Sequence, residues 1–332
     1  MIKKLIATSI AVLVMQSEAF GSAEEALRVA HPEKTLLTDI TYSGDRLVAV
    51  GKHGTIVFSD DGSSWQQAHV PIQSLLTAVD FTTAERGWAC GHDASILHTT
   101  DGGVSWQIQQ YLPDLEKPCL DIEFVNDKQG FAIGAYGMMY QTQDGGKSWN
   151  KRFLSEFVHP DDVDYLAELK QDDPQAYEDE TQFILPHFNR MLIDGQNIYL
   201  VGEMGLFAVS HDLGVTWERQ EEFYSGSLFA VNKNQHSELI VAGLRGNTFQ
   251  SASDDISFTP TKVDKAATIN SIVEYKNNQI MLANSGFIFT VTGNKVQTRQ
   301  LKNGKSILSG VIHNGKLVLA TEEGIQNIEV DR

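Results

Sequence analysis

Aspartates in a repeated setting are the first residues of this chain that could do chemistry. Thr99, Asp101, Gly103, Ser105 and Trp106 follow the spacing Ser/Thr-x-Asp-x-Gly-x-Ser/Thr-Trp. The pattern recurs as Thr142, Asp144, Gly146, Ser148 and Trp149, and again as Ser210, Asp212, Gly214, Thr216 and Trp217. An earlier copy is one residue short, with Ser59, Asp61, Ser64 and Trp65, and a later one is degraded to Ser251, Asp255 and Phe258. Carboxylates in this number suggest metal binding or acid–base work. Their neighbours point elsewhere. A short Asp side chain among Gly, Ser and Thr accepts N–H bonds across a tight turn, and Gly tolerates the positive φ that such a turn needs. A carboxylate used in this way has its oxygens occupied. Asp61, Asp101, Asp144 and Asp212 are therefore read as turn-formers. Trp65, Trp106, Trp149 and Trp217 open the next strand and pack on the body of the fold.

Other catalytic constellations are weaker. The ten histidines are scattered without ligand spacing, and the chain carries no zinc, nucleotide or nucleophile-elbow motif. No cofactor or metal is expected. One enzymatic alternative stays open, a sialidase-like or other glycan-binding or glycan-hydrolysing protein, because such aspartate turns occur there. Sialidases need an arginine cluster and a Tyr–Glu pair, whereas the nine arginines here are scattered. A carboxylate pair of another glycosidase type among the 43 acidic residues is part of that alternative.

The turns must be held by strands, and the strands repeat. Short hairpins recur at 50–54, 90–94, 133–137, 201–205, 242–246, 282–286 and 319–324. Taking Gly51, Gly91, Gly134, Gly202, Gly243, Ala283 and Ala320 as markers, the spacings are 40, 43, 68, 41, 40 and 37. A period of this length, in β-branched and aromatic runs broken by Gly, Asp and Asn, reads as seven four-strand units, A to D. The expected fold is all-β, a seven-bladed β-propeller filling residues 24–332 as one domain. The last copy ends in strand C, at Gly324 to Val330. The N-terminal run Ala26 to His31 is expected to pair with it as strand D of blade seven and so close the ring.

Repeats with an A strand ending in Phe, a Gly-x-x-Gly hairpin and the aspartate turn at 101–106 resemble the photosystem II assembly and stability factor family of seven-bladed propellers. The turn is the Asp-box, or bacterial neuraminidase (BNR) repeat. The resemblance covers nearly all of 36–330 and is best in copies two to four. It implies a non-catalytic scaffold that binds or helps assemble a membrane protein complex. Relatives in bacteria without photosynthesis, the group this chain is expected to join, are linked with resistance-nodulation-division exporters. The chain departs from the photosynthetic pattern in lacking a lipobox Cys and an arginine-rich face. It also carries an insertion. No functional residue is carried over.

The single long spacing marks the insertion, residues 154–186. It holds Asp161, Asp162, Asp164, Glu168, Asp172, Asp173, Glu178, Asp179 and Glu180 against Lys170. Residues 161–170 suit a short helix with acids in its first turn, and Asp173-Pro174 interrupts it. In a propeller the D-to-A crossings share a face with the B–C hairpins. The insertion should therefore overhang the hairpin tips, whose side chains differ from copy to copy. His53, His92, Asp93, Tyr136, Met204 and Arg245, with Asp161, Asp162, Asp164 and Glu168 of the arm, form the candidate partner-binding face. The alternative is a solvated, variable loop.

Lys3 and Lys4 precede an apolar run, Leu5 to Met15, and Ser17-Glu18-Ala19 has small residues where a signal peptidase reads. Residues 1–19 are expected to be a cleaved signal peptide, with Ala23 as the alternative end and an uncleaved anchor as the other reading. The protein is thus expected in the periplasm or otherwise exported, and monomeric by itself. The formal charge of -17 becomes about -18 once residues 1–19 are removed, which disfavours nucleic acid and anionic lipid as partners. Export permits a disulfide between the two cysteines, Cys90 and Cys119. Two buried free thiols are the other reading.

Overall fold

Runs such as Leu37–Ser43, Arg46–Gly51 and Ile56–Ser59 are short and rich in β-branched and aliphatic residues, and they pair as antiparallel hairpins. The computed structural model describes residues 23–252, 256–293 and 295–330. The expected signal segment and Asp255 lie outside them. The described strands form seven antiparallel sheets in ring order, six of four strands and one of three. Blade three, for example, is Cys119–Phe124, Gly130–Gly134, Met139–Thr142 and Asn150–Lys151.

Burial follows from stacking. Strand B of most blades lies between two neighbouring sheets and is buried along its whole length, as in Gly87–Gly91 and Leu239–Gly243. Such strands read as continuous apolar runs rather than alternating ones. Seven hydrophobic clusters form the core, one at each blade boundary. The Asp-box tryptophans occupy these boundaries. Trp106 packs with Val48 and Phe58 of blade one, Trp149 beside Trp88 of blade two, and Trp217 with Phe131 of blade three. Trp65 sits at the junction of blades seven and one.

Each A strand carries a register shift at its start, between Leu37 and Asp39 in blade one and between Leu76 and Ala78 in blade two. Such a bulge frees one residue from the ladder. In four blades that residue bonds to the next blade. Thr38 donates to the Leu76 carbonyl at 2.7 Å and Thr77 to that of Cys119 at 2.7 Å. Asn189 donates to Leu228 at 2.8 Å and Asn270 to Ile307 at 2.7 Å.

Ring closure differs from the expectation. Residues 26–31 form no strand, and blade seven has three strands among the described residues: Ile307–His313, Lys316–Thr321 and Gly324–Glu329. The N-terminal run lies along blade one instead. Ala26 N–H donates to the Val70 carbonyl at 2.9 Å. The Gln67 amide takes both hydrogen-bonding roles, donating to the Leu27 carbonyl at 2.9 Å and accepting from Val29 N–H at 3.1 Å. Ala23 and Ala26 tuck against the cluster between blades one and two. Side chains close the ring: Leu37, Ile40 and Val57 pack on Val318 and Ala320, Tyr42 donates to the Ile312 carbonyl, and Asn327 donates to the Gly62 carbonyl at 2.8 Å.

Candidate functional site: the hairpin face and its acidic arm

Each Asp-box carboxylate accepts bonds from its own turn. Asp101 accepts from the N–H groups of Val104 at 3.0 Å and Ser105 at 2.9 Å, and from the Ser105 hydroxyl at 2.5 Å. Asp144 and Asp212 repeat this through Ser148 and Thr216. Asp61, in the shortened copy, accepts from Ser63 and Ser64 N–H, each at 2.7 Å. These bonds favour the ionised form. Asp212 is pulled down to about 2 by the Thr216 hydroxyl and N–H, and Asp144 is lowered by the same two groups of Ser148. In Asp101 burial pushes upward, but the Ser105 and Thr99 bonds outweigh it and the carboxyl stays low. The box turns also bond to the A–B turns, as Gly102 N–H does to Glu85. That face serves structure.

The opposite face is built from the B–C hairpins. Its tip residues share one backbone conformation: His53, Tyr136, Met204, Arg245 and Ser285 have φ between 53° and 57°. Blade two places Asp93 and Ala94 there, with φ of 61° and 45°. A glycine follows most of these tips and bonds to the crossing that leads to the next blade: Gly54 to Ser74, Gly137 to Pro186, Gly205 to Gly226, all at 2.9 Å. At Gly205 a side chain would collide with the Tyr224 carbonyl. In these five blades the turn presents one non-glycine side chain outward, and the left-handed tip is tolerated because the turn over-determines it. His53, Met204 and Arg245 are exposed; Asp93 is half-buried and accepts from Ser74 at 2.5 Å; His92 beside it is exposed.

The arm meets this face at blade three. It folds into α1 (Pro160–Asp172) and α2 (Pro174–Glu180). Both helices begin with Pro at the first position, where its missing N–H costs nothing. His159 caps α1, and Asp173 caps α2 by accepting from Ala176 N–H at 3.0 Å. The interruption expected at Asp173-Pro174 is therefore the junction of two helices. Leu166, Phe157, Val158 and Leu185 anchor the arm in the core between blades three and four. Asp161, Asp164 and Glu168 face solvent, and Asp162 is half-buried. Phe183 stacks edge-on against Tyr136 at 5.4 Å, and Tyr136 against His187 at 4.6 Å. Lys117 underlies them: its ammonium lies 4.9 Å from the Phe183 ring and bonds to the Gln182 carbonyl. Burial, then the nearby Lys151 charge, pushes this lysine down to about 8. Tyr136, Phe183 and Met204 remain exposed by 40%, 58% and 63%. The structure thus brings Tyr136 against the arm at Phe183, and Met204 stands on the next hairpin, where Glu203 N–H bonds to the His187 carbonyl. His53 and Arg245 stand on blades one and five.

The cysteines are joined. Cys90 and Cys119 form a disulfide with Cα atoms 5.8 Å apart, linking strand B of blade two to strand A of blade three.

One cluster escaped the sequence reading. Asp39, Asp80 and Glu123 point into the central channel with Arg190, around a cavity of about 200 Å³. Asp39 accepts from Val79 N–H at 3.1 Å, Asp80 from Phe124 at 2.9 Å and Asp121 from Met191 at 2.7 Å, each across a blade boundary. Burial pushes Asp80 up to about 6, and burial with the Asp80 and Asp121 charges pushes Glu123 well above the usual range. The signal was present as acids at alternate positions of A strands. Among the described residues no group of three or more His, Cys, Asp or Glu could hold a metal ion.

The family described as "Photosynthesis system II assembly factor YCF48" matches this chain at residues 57–117 and 109–171, across the intact Asp-boxes of blades two and three. Over blades two and three this chain is similar to that family. A photosystem II assembly protein Ycf48 of Synechococcus sp. (strain JA-2-3B'a(2-13)) is 44% identical over 54 residues, 16% of each chain. An uncharacterised Bacillus subtilis (strain 168) protein, YkuO, is 28% identical over 99 residues, 29% of this chain and 33% of its own. The chain therefore spans a third or less of these curated relatives. Solved structures extend the likeness in fold. One described as "YCF48 bound to D1 peptide" superposes with a TM-score of 0.66 at 17% identity, covering 93% of this chain and all of that one. YCF48 from Cyanidioschyzon merolae gives 0.65 at 14% identity, covering 93% and 99%.

Proposed function

We propose that this propeller is a non-catalytic scaffold, acting outside the cytoplasm, that binds a segment of a membrane protein on its hairpin face beside the acidic arm. The carrying observation is the face itself. Uniform turn geometry presents chemically different side chains, and the aromatic patch of Tyr136 and Phe183 stands next to solvent-facing carboxylates of α1. Identical scaffolding under varied tips suits an asymmetric ligand, and aromatic side chains are favoured anchors at interfaces. A protein of this fold has been solved with a D1 peptide, which supports a peptide segment as the ligand class. A photosystem subunit and a resistance-nodulation-division exporter are the two membrane partners the resemblance supplies. The Cys90–Cys119 disulfide and the basic-apolar start of the chain support an oxidising, exported setting.

The test is a photo-crosslinker at Met204, used in membranes with the whole chain and with residues 159–182 replaced by a short flexible linker. The expected result is a membrane-protein adduct whose yield falls with salt and is lost without the arm. An adduct equally strong without the arm and at high salt removes the reading.

A further inference from the structure

On their face of the ring, the Asp-box turns fill the space between neighbouring blades. Arg46 of blade one donates to the Gly102 carbonyl of blade two at 3.1 Å, and Gln129 of blade three to that of Leu213 in blade four at 3.0 Å. Blade six lacks the box. Its strand C, Phe287–Thr292, is joined to strand D, Lys295–Gln300, by two residues, where blade two uses seven, 100–106. A cavity of about 270 Å³ lies there, between the A–B turn of blade five and the adjoining ends of blade six.

Its walls are ordered by the protein's own bonds. Glu238 Oε2 accepts from the side-chain amides of Asn234 and Gln250, each at 2.7 Å. Glu274 Oε1 accepts from Gln235 N–H at 3.0 Å across the blade boundary, and the Gln235 side chain donates to Asn277 Oδ1 at 2.8 Å. Both glutamates are half-buried, and each keeps one oxygen outside these bonds. The Gln279 side-chain carbonyl also lines the cavity, and it is buried with no hydrogen-bond partner among the described residues. Leaving a buried acceptor unpaired is costly. No Lys or Arg lines the cavity. Three acceptors that carry two negative charges between them favour an occupant with N–H donors and positive charge. Among the described residues no group of three or more His, Cys, Asp or Glu could hold a metal ion, which disfavours a bare metal cation. A neutral polyol would leave both charges uncompensated.

We propose that the cavity between blades five and six is a binding site for an organic cation with N–H donors, an alkylammonium or guanidinium group. Glu238 and Glu274 would supply charge-assisted acceptors, and the Gln279 carbonyl the acceptor at the buried end. The group comes from a free amine or from a Lys or Arg side chain of a polypeptide. This site stands on the face opposite the hairpin tips, so it is independent of the segment proposed to dock there.

The test is calorimetric titration of the full chain at low salt with agmatine, which carries both groups. Tetramethylammonium, charged but without N–H donors, and sorbitol, neutral with O–H donors, are the comparisons. The expected result is saturable agmatine binding, with both comparisons weaker by about tenfold or more. Glu274→Gln should weaken agmatine about tenfold, and Gln279→Leu about fivefold with no fall in melting temperature, since it removes an unpaired acceptor. Asp45→Asn, at an exposed carboxylate of blade one, should leave binding unchanged. A capped Gly-Arg-Gly peptide that binds at least as tightly as agmatine assigns the group to a polypeptide side chain, and weaker binding assigns it to a free amine. No agmatine binding, or equal binding of either comparison, overturns the proposal, and this holds even where a variant does not fold. So does a folded Glu274→Gln protein that binds agmatine as the wild type does.

Discussion

Asp121 of blade three and Arg190 of blade four form an ion pair at 2.9 Å, with the carboxylate 1% exposed and also accepting from Met191 N–H at 2.7 Å. This is the boundary at which the insertion interrupts the array. One carboxylate thus ties together two blades separated in sequence by the arm. Arg190 also faces Asp39 and Glu123, so the channel holds more negative groups than positive ones.

Removing the channel cation Arg190 should be severe. Arg190→Met leaves Asp121 buried without its partner, a loss of about 3–5 kcal/mol for a broken buried pair. Adding Asp121→Asn to that variant should recover part of the loss. Urea denaturation of the wild type, both single variants and the double variant gives the coupling directly. Independent, additive effects would show that the pair does not act as a unit.

The channel acids set a pH dependence. Asp80 is pushed up to about 6, chiefly by burial, with Phe124 and Phe81 N–H groups opposing and the Asp121 and Asp39 charges adding. A carboxyl raised on folding contributes stability that is full below its unfolded pKa and is lost as pH rises through the folded value. Wild type should therefore lose stability relative to Asp80→Asn between about pH 4 and 7. Paired urea midpoints across that range check it. A constant difference would mean that Asp80 ionises as freely in the folded chain as in the unfolded one.

Asp-box aspartates have the opposite sign. Asp101→Ala should cost about 1–2 kcal/mol at neutral pH, since the turn loses its acceptor while solvent rescues part of it. The folded Asp101 carboxyl lies below its ordinary value. The penalty should therefore be present above about pH 4 and shrink as pH falls through the lowered folded value. Crosslinking through Met204 should be unchanged. A variant that keeps its melting temperature but loses crosslinking would assign the box a binding role.

The disulfide closes a loop with a sequence separation of 29. Replacing both Cys90 and Cys119 by Ser should lower stability by about 3 kcal/mol, mainly through a freer unfolded chain. Denaturation of both proteins under non-reducing conditions tests this. Equal midpoints would show that blade packing alone fixes this junction.

Periodicity, the Asp-box and the hairpin glycines were legible from the sequence because each is local. A carboxylate two to four residues from the N–H groups it binds, or a glycine in a left-handed turn, carries its own geometry. The long spacing located the arm, and its acids marked the first helix; the second, which begins at Pro174, was read only as an interruption. The shared face of arm and hairpins followed from ring topology. Three features depended on tertiary structure. The channel cluster assembles Asp39, Asp80, Glu123 and Arg190 from four A strands, and no local rule says which alternate side of a strand faces the axis. The cysteine pairing needed the distance across a blade boundary. The fate of residues 26–31 turned on a competition between two edges of similar chemistry. The Gln67 amide and the pocket for Ala26 place the run on blade one, a choice that six residues of alternating pattern cannot express.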